Sequence, residues 1–455
     1  MALVNELARF VTDASFDDLS DDARDQLKIR VLDSLGCAFG ALEGPPIRML
    51  REHLHDFGGT EHCTLIGGTK TAPDRAALFN GALVRYLDYN DSYLAKGETC
   101  HPSDNLSSTL AAVEYASGNG KDLLTALGVA YQVQCRLSDV APVRDKGFDH
   151  TTQGSYAVAA GVAKALGLDD EKTANAIAIS ATAHNALRVT RTGSLSHWKG
   201  LAYPETAFCG THSAFLAKRG ITGPPEVFEG NKGFMDSIAG EFSIDWSKEN
   251  LERVTDTIIK KYNAEIHSQA SIEGALELKG QHGIDPASIE AIDIETFDVA
   301  YHIIGGGEEG DKTIVGTKEE ADHSLHYMVA VALLDDQVLP DQYDPARIER
   351  DDIQTLLRKV SVSPNDDYSD AFPDEMRCRV TIRLNNGQEH GVEKHDYEGF
   401  QTRPMSWETV GDKFMRLAEP YTSESQRTEI IEAVKRLEDA DMSEFMRLLA
   451  QVDVR

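Results

Sequence analysis

From Leu87 onward the chain gathers acid, hydroxyl, imidazole and guanidinium groups in one short run, LDYNDSYLAKGETCHPSDNLSSTLAAVEY, with AYQVQCRLSD following. Such a mixture suits proton transfer to and from a bound carboxylate. Helical spacing predicts that Asp88 and Ser92 share one helix face, with the next loop returning His101 nearby. His101-Pro102-Ser103-Asp104 reads as the opening of a second helix, whose first N–H groups suit an anion. The competing reading is a network of caps and turns at helix ends.

Four further segments carry candidates. His150, in KGFDHTTQG, precedes a small-residue helix and suits a group titrating near neutrality, or else a surface residue beside a Thr151/Thr152 cap. The run RVTRTGSLSHWKG concentrates cations, and Arg188 and Lys199 suit a clamp for carboxylates. Neutralisation of neighbouring acids is the alternative, and Lys199 at a helix entry is the favoured member. KKYNAEIHSQ lies where the composition shifts, so Lys261 and His267 fall where two lobes are expected to meet, which is favoured ground for ligands. Lys261 as a solvent group and His267 as a helix-start residue are the bland alternatives. In DHSLHY, His323 and Tyr327 are spaced as one helix face, with a core hydrogen bond as the competing role.

Several familiar sites are absent from the sequence. Gly305-Gly306-Gly307 lacks the strand, helix and remaining fingerprint of a dinucleotide site, and Gly230-Asn231-Lys232-Gly233 is not a P-loop. No H-E-x-x-H supports a metalloprotease, and Cys37, Cys63, Cys100, Cys135, Cys209 and Cys378 form no C-x-x-C pair. They read as free, structural thiols, mostly on apolar helices.

Positioning these groups requires a sizeable scaffold. Periodicity is helical from the start to about residue 255, with alanine-rich faces at GSYAVAAGVAKAL and EKTANAIAISATAHNAL. Gly118, Gly167 and Gly220 are placed as left-handed helix ends, and Asp169 or Asp170 as a cap. After about Lys260, strands are expected at 289–297, 359–363 and 377–384. The last alternates strictly into Asn385-Asn386-Gly387, a hairpin signal. Helices at 268–279 and 324–334 lie between them, which predicts an α+β lobe before helices resume at Pro404.

The 455 residues, 41% hydrophobic, suffice for two packed lobes. A net charge of −30, from 75 acids against 45 bases, argues against nucleic acid as a partner and points to a halophilic protein working in screening salt. The N-terminus lacks a basic leader, and no apolar run reaches membrane length, so a soluble, cytoplasmic protein is expected.

Taken together, HPSDNLSSTLAAVEYASG, AYQVQCRLSD, FDHTTQGSYAVAAGVAKALGLD, SHWKGLAYPETAF, FEGNKGF, EIHSQASIEGAL and ADHSLHYMVAVALLDD resemble the MmgE/PrpD family, in the family's order and over nearly the whole chain. That family includes 2-methylcitrate dehydratase and cis-aconitate decarboxylase. The resemblance implies a mainly α protein: a large all-helical domain built from both chain ends (1–258 and 398–455), an inserted α+β lid (259–397), and a homodimer. It also implies chemistry with no cofactor and no metal. Matched by motif, the active-site acid is Asp88, the hydroxyl Ser92, the cleft histidines His101 and His150, and the cleft lysine Lys199. The lid-side region corresponds to Lys261, His267 and Tyr327. Serine stands at 92 where the decarboxylases resemble threonine, and Glu265 falls near where they place a histidine. RVTRTGSLSHWKG and AEIHSQASIEGALEL resemble the dehydratase branch more closely.

The expected activity is therefore dehydration of a small polycarboxylate, 2-methylcitrate foremost. His101 or His150 would act as base or acid, Asp88 would orient His101, and Tyr327 or the other histidine would stand opposite. Lys199, aided by Arg188 or Lys261, would hold carboxylates. Alternatives are decarboxylation of cis-aconitate, isomerisation or epimerisation of a dicarboxylate, and a non-catalytic binding protein on the same scaffold.

Overall fold

The structure, a computed structural model, describes residues 2–452. It is mainly α, with a smaller α+β part, and its contacts divide it into two units. The first contains the residues up to Thr190, Gly200–Thr257 and those from Ser406 on; the second contains Arg191–Lys199 and Ile258–Met405.

The first unit is built on α1 (Leu3–Asp13), α2 (Asp21–Gly40), α3 (Pro45–Phe57), α4 (Pro73–Tyr86), α5 (Leu106–Ala116), α6 (Gly120–Val140), α7 (Thr151–Ala165), α8 (Asp170–Ala183) and α9 (Trp198–Lys218), the last from Gly200 on. The C-terminal helix Trp407–Ala418 packs on α2, with the Phe39 and Phe414 rings 5.7 Å apart, so both chain ends share one core. Small side chains let helices approach closely: Ala112, Val158, Ala163, Ala176, Ala214 and Ala217 pack into one cluster with Tyr203. Asp169 caps α8 by accepting from Lys172 N. Gly167 and Gly220 take positive φ as expected, but after α5 it is Ser117, not Gly118, that turns left-handed, at φ 55°.

Two short hairpins complete this unit, β1 (Cys63–Thr64) with β2 (Lys70–Thr71), and β3 (Tyr93–Ala95) with β4 (Glu98–Cys100). The second contradicts the expected helical course through Ser92. Helix α4 ends at Tyr86, and Asp88 adopts φ 55°, a conformation that short polar side chains tolerate. The chain then bends before it enters β3, so Asp88 and Ser92 share no helix face.

In the second unit, β5 (Ile289–Thr296), β6 (Val360–Pro364), β7 (Cys378–Leu384) and β8 (Glu389–Lys394) form one sheet in the order β6-β5-β7-β8. Only β5–β6 is parallel. Strand β7 buries every second residue, Cys378, Val380, Ile382 and Leu384. Helix α10 (Gln269–His282) lies on β7 and β8, with Gly274 close to Val380 and Val392. Of the six cysteines, three lie on helices and three on strands, a correction to the expected helical majority. Burial pushes the Cys63 and Cys378 thiols up to about 12, which leaves them inert. Among the described residues no helix is long and apolar enough to cross a membrane.

Candidate functional site

In the first unit, the β3–β4 hairpin brings the polar groups together. Tyr93 pairs with Cys100, so the next rung sets Ser92 opposite His101, with Ser92 Oγ 3.1 Å from His101 Nδ1. The same Nδ1 lies 2.7 Å from the Asp91 carbonyl oxygen. A carbonyl can only accept, so the Nδ1 proton donates there and the neutral ring carries its lone pair on Nε2. At Nδ1 the ring's partner is thus the Asp91 carbonyl.

Asp91 is fully buried, and its carboxylate accepts from Ser103 N at 3.0 Å, Ser103 Oγ at 2.6 Å and Tyr131 OH at 2.8 Å. Burial pushes its pKa up against these hydrogen bonds. The N–H of Ser103, expected to greet an external anion, is therefore taken by the protein's own carboxylate. Asp88 is held by Arg85 Nη1 at the end of α4, and Arg85 Nε lies 3.6 Å from Asp104. Arg85 and Asp88 are each 2% exposed.

His150 sits at the N-cap position of α7 and is 2% exposed, not a surface residue. Its Nδ1 is 3.2 Å from Asp149 Oδ1, which also accepts from Thr151 N at 3.1 Å. The His101 and His150 rings meet edge to face, with centroids 5.4 Å apart. On its other side His150 stacks on Tyr203 at 6.2 Å, and the Tyr203 hydroxyl lies 3.0 Å from both Asn105 Oδ1 and Gln134 Oε1. Buried Glu98 accepts from Val143 N and Arg144 N, tying the hairpin to the segment that leads to His150. Arg188 is half-buried, and its charge helps draw down a Glu98 carboxyl that burial pushes up.

In the second unit, Lys199 is 2% exposed; its Nζ lies 3.3 Å from Asp322 Oδ1 and 3.2 Å from His323 Nδ1. Asp322 also accepts from His323 Nδ1 at 2.6 Å and Lys318 Nζ at 2.6 Å. Burial alone would raise the Asp322 carboxyl; Lys199, Lys318 and His323 overcome that and hold it below the ordinary carboxylate range. The second acid, Glu265, accepts from His267 Nδ1 at 2.7 Å and His267 N at 2.8 Å. Against burial, His267, His323 and Lys260 draw its pKa down to about 2. His267 lies in a short turn ahead of α10, with its ring against Phe297 and Phe372.

Two candidates fall elsewhere. The helix starting at Leu325 is capped by Ser324, so His323 precedes it and shares no helix face with Tyr327. Tyr327 is fully buried, lies tilted against Tyr343 and donates its hydroxyl to the Gln342 carbonyl, the kind of contact the competing core reading expects. Lys261 is ion-paired with Glu398 at 2.6 Å and lies 3.9 Å from Glu273, while its neighbour Lys260 is the buried one. Asp91, Lys260 and Asp322 were not singled out by sequence reasoning. Their only signal was adjacency to residues that were.

Residues 5–247 match the MmgE/PrpD N-terminal domain and residues 262–439 the MmgE/PrpD C-terminal domain. The chain is 28% identical over 450 residues to 2-methylcitrate dehydratase of Escherichia coli (strain K12), covering 92% of this chain and 91% of that one. It is 29% identical to 2-methylcitrate dehydratase of Cupriavidus necator, over 80% of this chain and 79% of the relative. Cis-aconitate decarboxylase of Mus musculus is 25% identical, over 95% and 90% of the two chains. With both family domains matched in order over most of its length, the chain belongs to the MmgE/PrpD family.

Proposed function

We propose that this protein is a lyase that removes water from a polycarboxylate, most specifically 2-methylcitrate to 2-methyl-cis-aconitate, by acid–base chemistry without a cofactor. The observation that carries the reading is the His101/His150 pair: each ring is buried, each has Nδ1 against a protein oxygen, and the rings are 5.4 Å apart. Elimination needs a base for the proton beside a carboxylate and an acid for the departing hydroxyl, and two imidazoles supply one of each when one is neutral, with its lone pair on Nε2, and the other carries a proton there. Held at Nδ1, each presents Nε2 to the reaction.

Lys199 is assigned to a substrate carboxylate and to the negative charge that grows as the proton leaves. Asp322 positions its ammonium group, and His323 Nδ1 donates to the same carboxylate. Ser92 and Asp91 position His101, and Tyr203 supports His150. Arg188 and His267 are retained as binding residues; Tyr327 and Lys261 are not.

A second reading, decarboxylation of cis-aconitate, is favoured by the likeness to the Mus musculus protein along 95% of this chain. Incubation with 2-methylcitrate, citrate, cis-aconitate and tartrate separates the two. Alkene absorbance from 2-methylcitrate without gas supports dehydration, whereas carbon dioxide from cis-aconitate replaces it with decarboxylation. A chelator arm that abolishes turnover would remove the cofactor-free part of the proposal.

A further inference from the structure

The first unit holds a cavity of about 1090 Å³ whose walls include none of the residues given roles above. They are formed by the C-terminal half of α3, the turn between β1 and β2, and Phe79 of α4. Leu54, Leu65, Ile66 and Phe79 supply apolar surface, each at most 6% exposed. Pockets of roughly 300–1,000 Å³ hold small organic ligands, so this one has room for a molecule up to the size of a short peptide.

Two polar groups on these walls have bonding capacity to spare. Arg51 is half-buried, with its guanidinium carbon 5.6 Å from the centre of the Phe79 ring. Its Nη2 donates to the Leu42 carbonyl at 3.3 Å; Nε and Nη1 have no partner among the described residues, and no carboxylate of those residues lies within 4.0 Å. Glu43, the acid that acts on Arg51 from a distance, is paired with Arg48 at 2.5 Å. Lys70, the other long cation on the walls, is taken by Glu114 at 2.9 Å. A planar guanidinium with open donors is suited to a carboxylate. Thr71 is 3% exposed, and its Oγ1 is buried without a hydrogen-bond partner. That oxygen faces Gly58 on the same wall, where a Cβ would come within 3.4 Å of it. A buried hydroxyl left unpaired costs free energy that a polar group of a ligand recovers.

Glu52, Asp56 and Glu61 line the cavity as well; they are exposed and have no ion pair among the described residues. Glu52 and Asp56, four positions apart on α3, share one face. A simple anion would be drawn to Arg51 and repelled by these acids. An apolar molecule carrying both signs of charge satisfies the guanidinium, the carboxylates and the apolar wall together.

We infer that this cavity binds an apolar zwitterion, a free apolar amino acid or a short peptide of such residues, with its carboxylate on Arg51, its ammonium group at the acids and its side chains on the apolar wall. The test is titration calorimetry of wild type, Arg51→Met and Thr71→Val with leucine and with Leu-Ala-Leu, with a melting curve for each variant. The tripeptide is also titrated as its C-terminal amide and as its N-acetyl derivative. Amidation and Arg51→Met should each weaken tripeptide binding by about tenfold to a hundredfold. The two losses should not add, because both remove one contact. Thr71→Val, which keeps the side chain's shape, should cost about twofold to tenfold, and acetylation about threefold or more. Tighter binding of the tripeptide supports a peptide ligand, and equal binding of leucine supports the free amino acid. No binding of either by wild type, an amide or N-acetyl peptide that binds as tightly as the parent, or an amidation loss undiminished in Arg51→Met would each overturn the inference.

Discussion

Gly154 sets how closely Tyr203 can approach α7. A methyl group there would lie 2.5 Å from Tyr203 Cε2, 2.8 Å from Cζ and 2.9 Å from the hydroxyl oxygen. Ordinary carbon contacts are about 3.5 Å or longer, so Gly154→Ala obliges the ring to retreat by roughly 1 Å. That retreat strains the hydroxyl's 3.0 Å contacts with Asn105 and Gln134 and withdraws the ring on which His150 stacks. Overpacking costs about 1–3 kcal/mol and the hydrogen bond about 1 kcal/mol. Alanine's better helix propensity offsets about 1 kcal/mol. The net expectation is a loss of about 1–3 kcal/mol by denaturant titration. A fall in turnover of up to about a hundredfold should accompany it, as for a reacting group misplaced by an ångström. In a Tyr203→Leu background the clash disappears, and Gly154→Ala should then stabilise the protein. Wild-type stability in the single variant would refute the packing argument.

The remaining expectations concern charge and core. The folded Glu265 carboxyl, at about 2 against an ordinary 4.5, contributes stability that is full above pH 4.5 and lost as pH falls toward 2. Wild type should therefore exceed Glu265→Gln by up to roughly 3 kcal/mol at neutral pH, with the gap closing across that window; a gap independent of pH would contradict this. Tyr327→Phe should lose about 1–2 kcal/mol, from the Gln342 carbonyl left unpaired, with turnover kept. A collapse of turnover would return Tyr327 to the chemistry. The charge of −30 should make the melting temperature climb with added salt, and a flat response would remove the argument for a salt-requiring protein.

The second unit was the more legible in sequence. The alternation from Arg377 to Leu384 and the Asn385-Asn386-Gly387 turn are local signals, and the β7–β8 hairpin follows from them, with Gly387 at φ 82°. The candidates His101, His150 and Lys199 were legible as chemistry because each stands in a distinctive local run. Their supports were not. Nothing near Asp88 announces that the chain turns left-handed there, and helical spacing does not foresee the break, after which the β3–β4 hairpin takes over from the helix. Asp322 holds Lys199 across 123 positions, and Tyr203 reaches Asn105 across 98, separations that no periodicity encodes. Tyr327 misled because i, i+4 spacing from His323 presumes a helix that begins only at Leu325.

The most direct test of the central claim is the rate of alkene formation from 2-methylcitrate by wild type, His101→Asn and His150→Asn, each checked by melting temperature. Asparagine keeps a donor near the Nδ1 position but removes Nε2. The expected result is dehydration by wild type and a loss of about a hundredfold to ten-thousandfold in each folded variant. Full activity in either variant, or no dehydration by the wild-type protein, would contradict it.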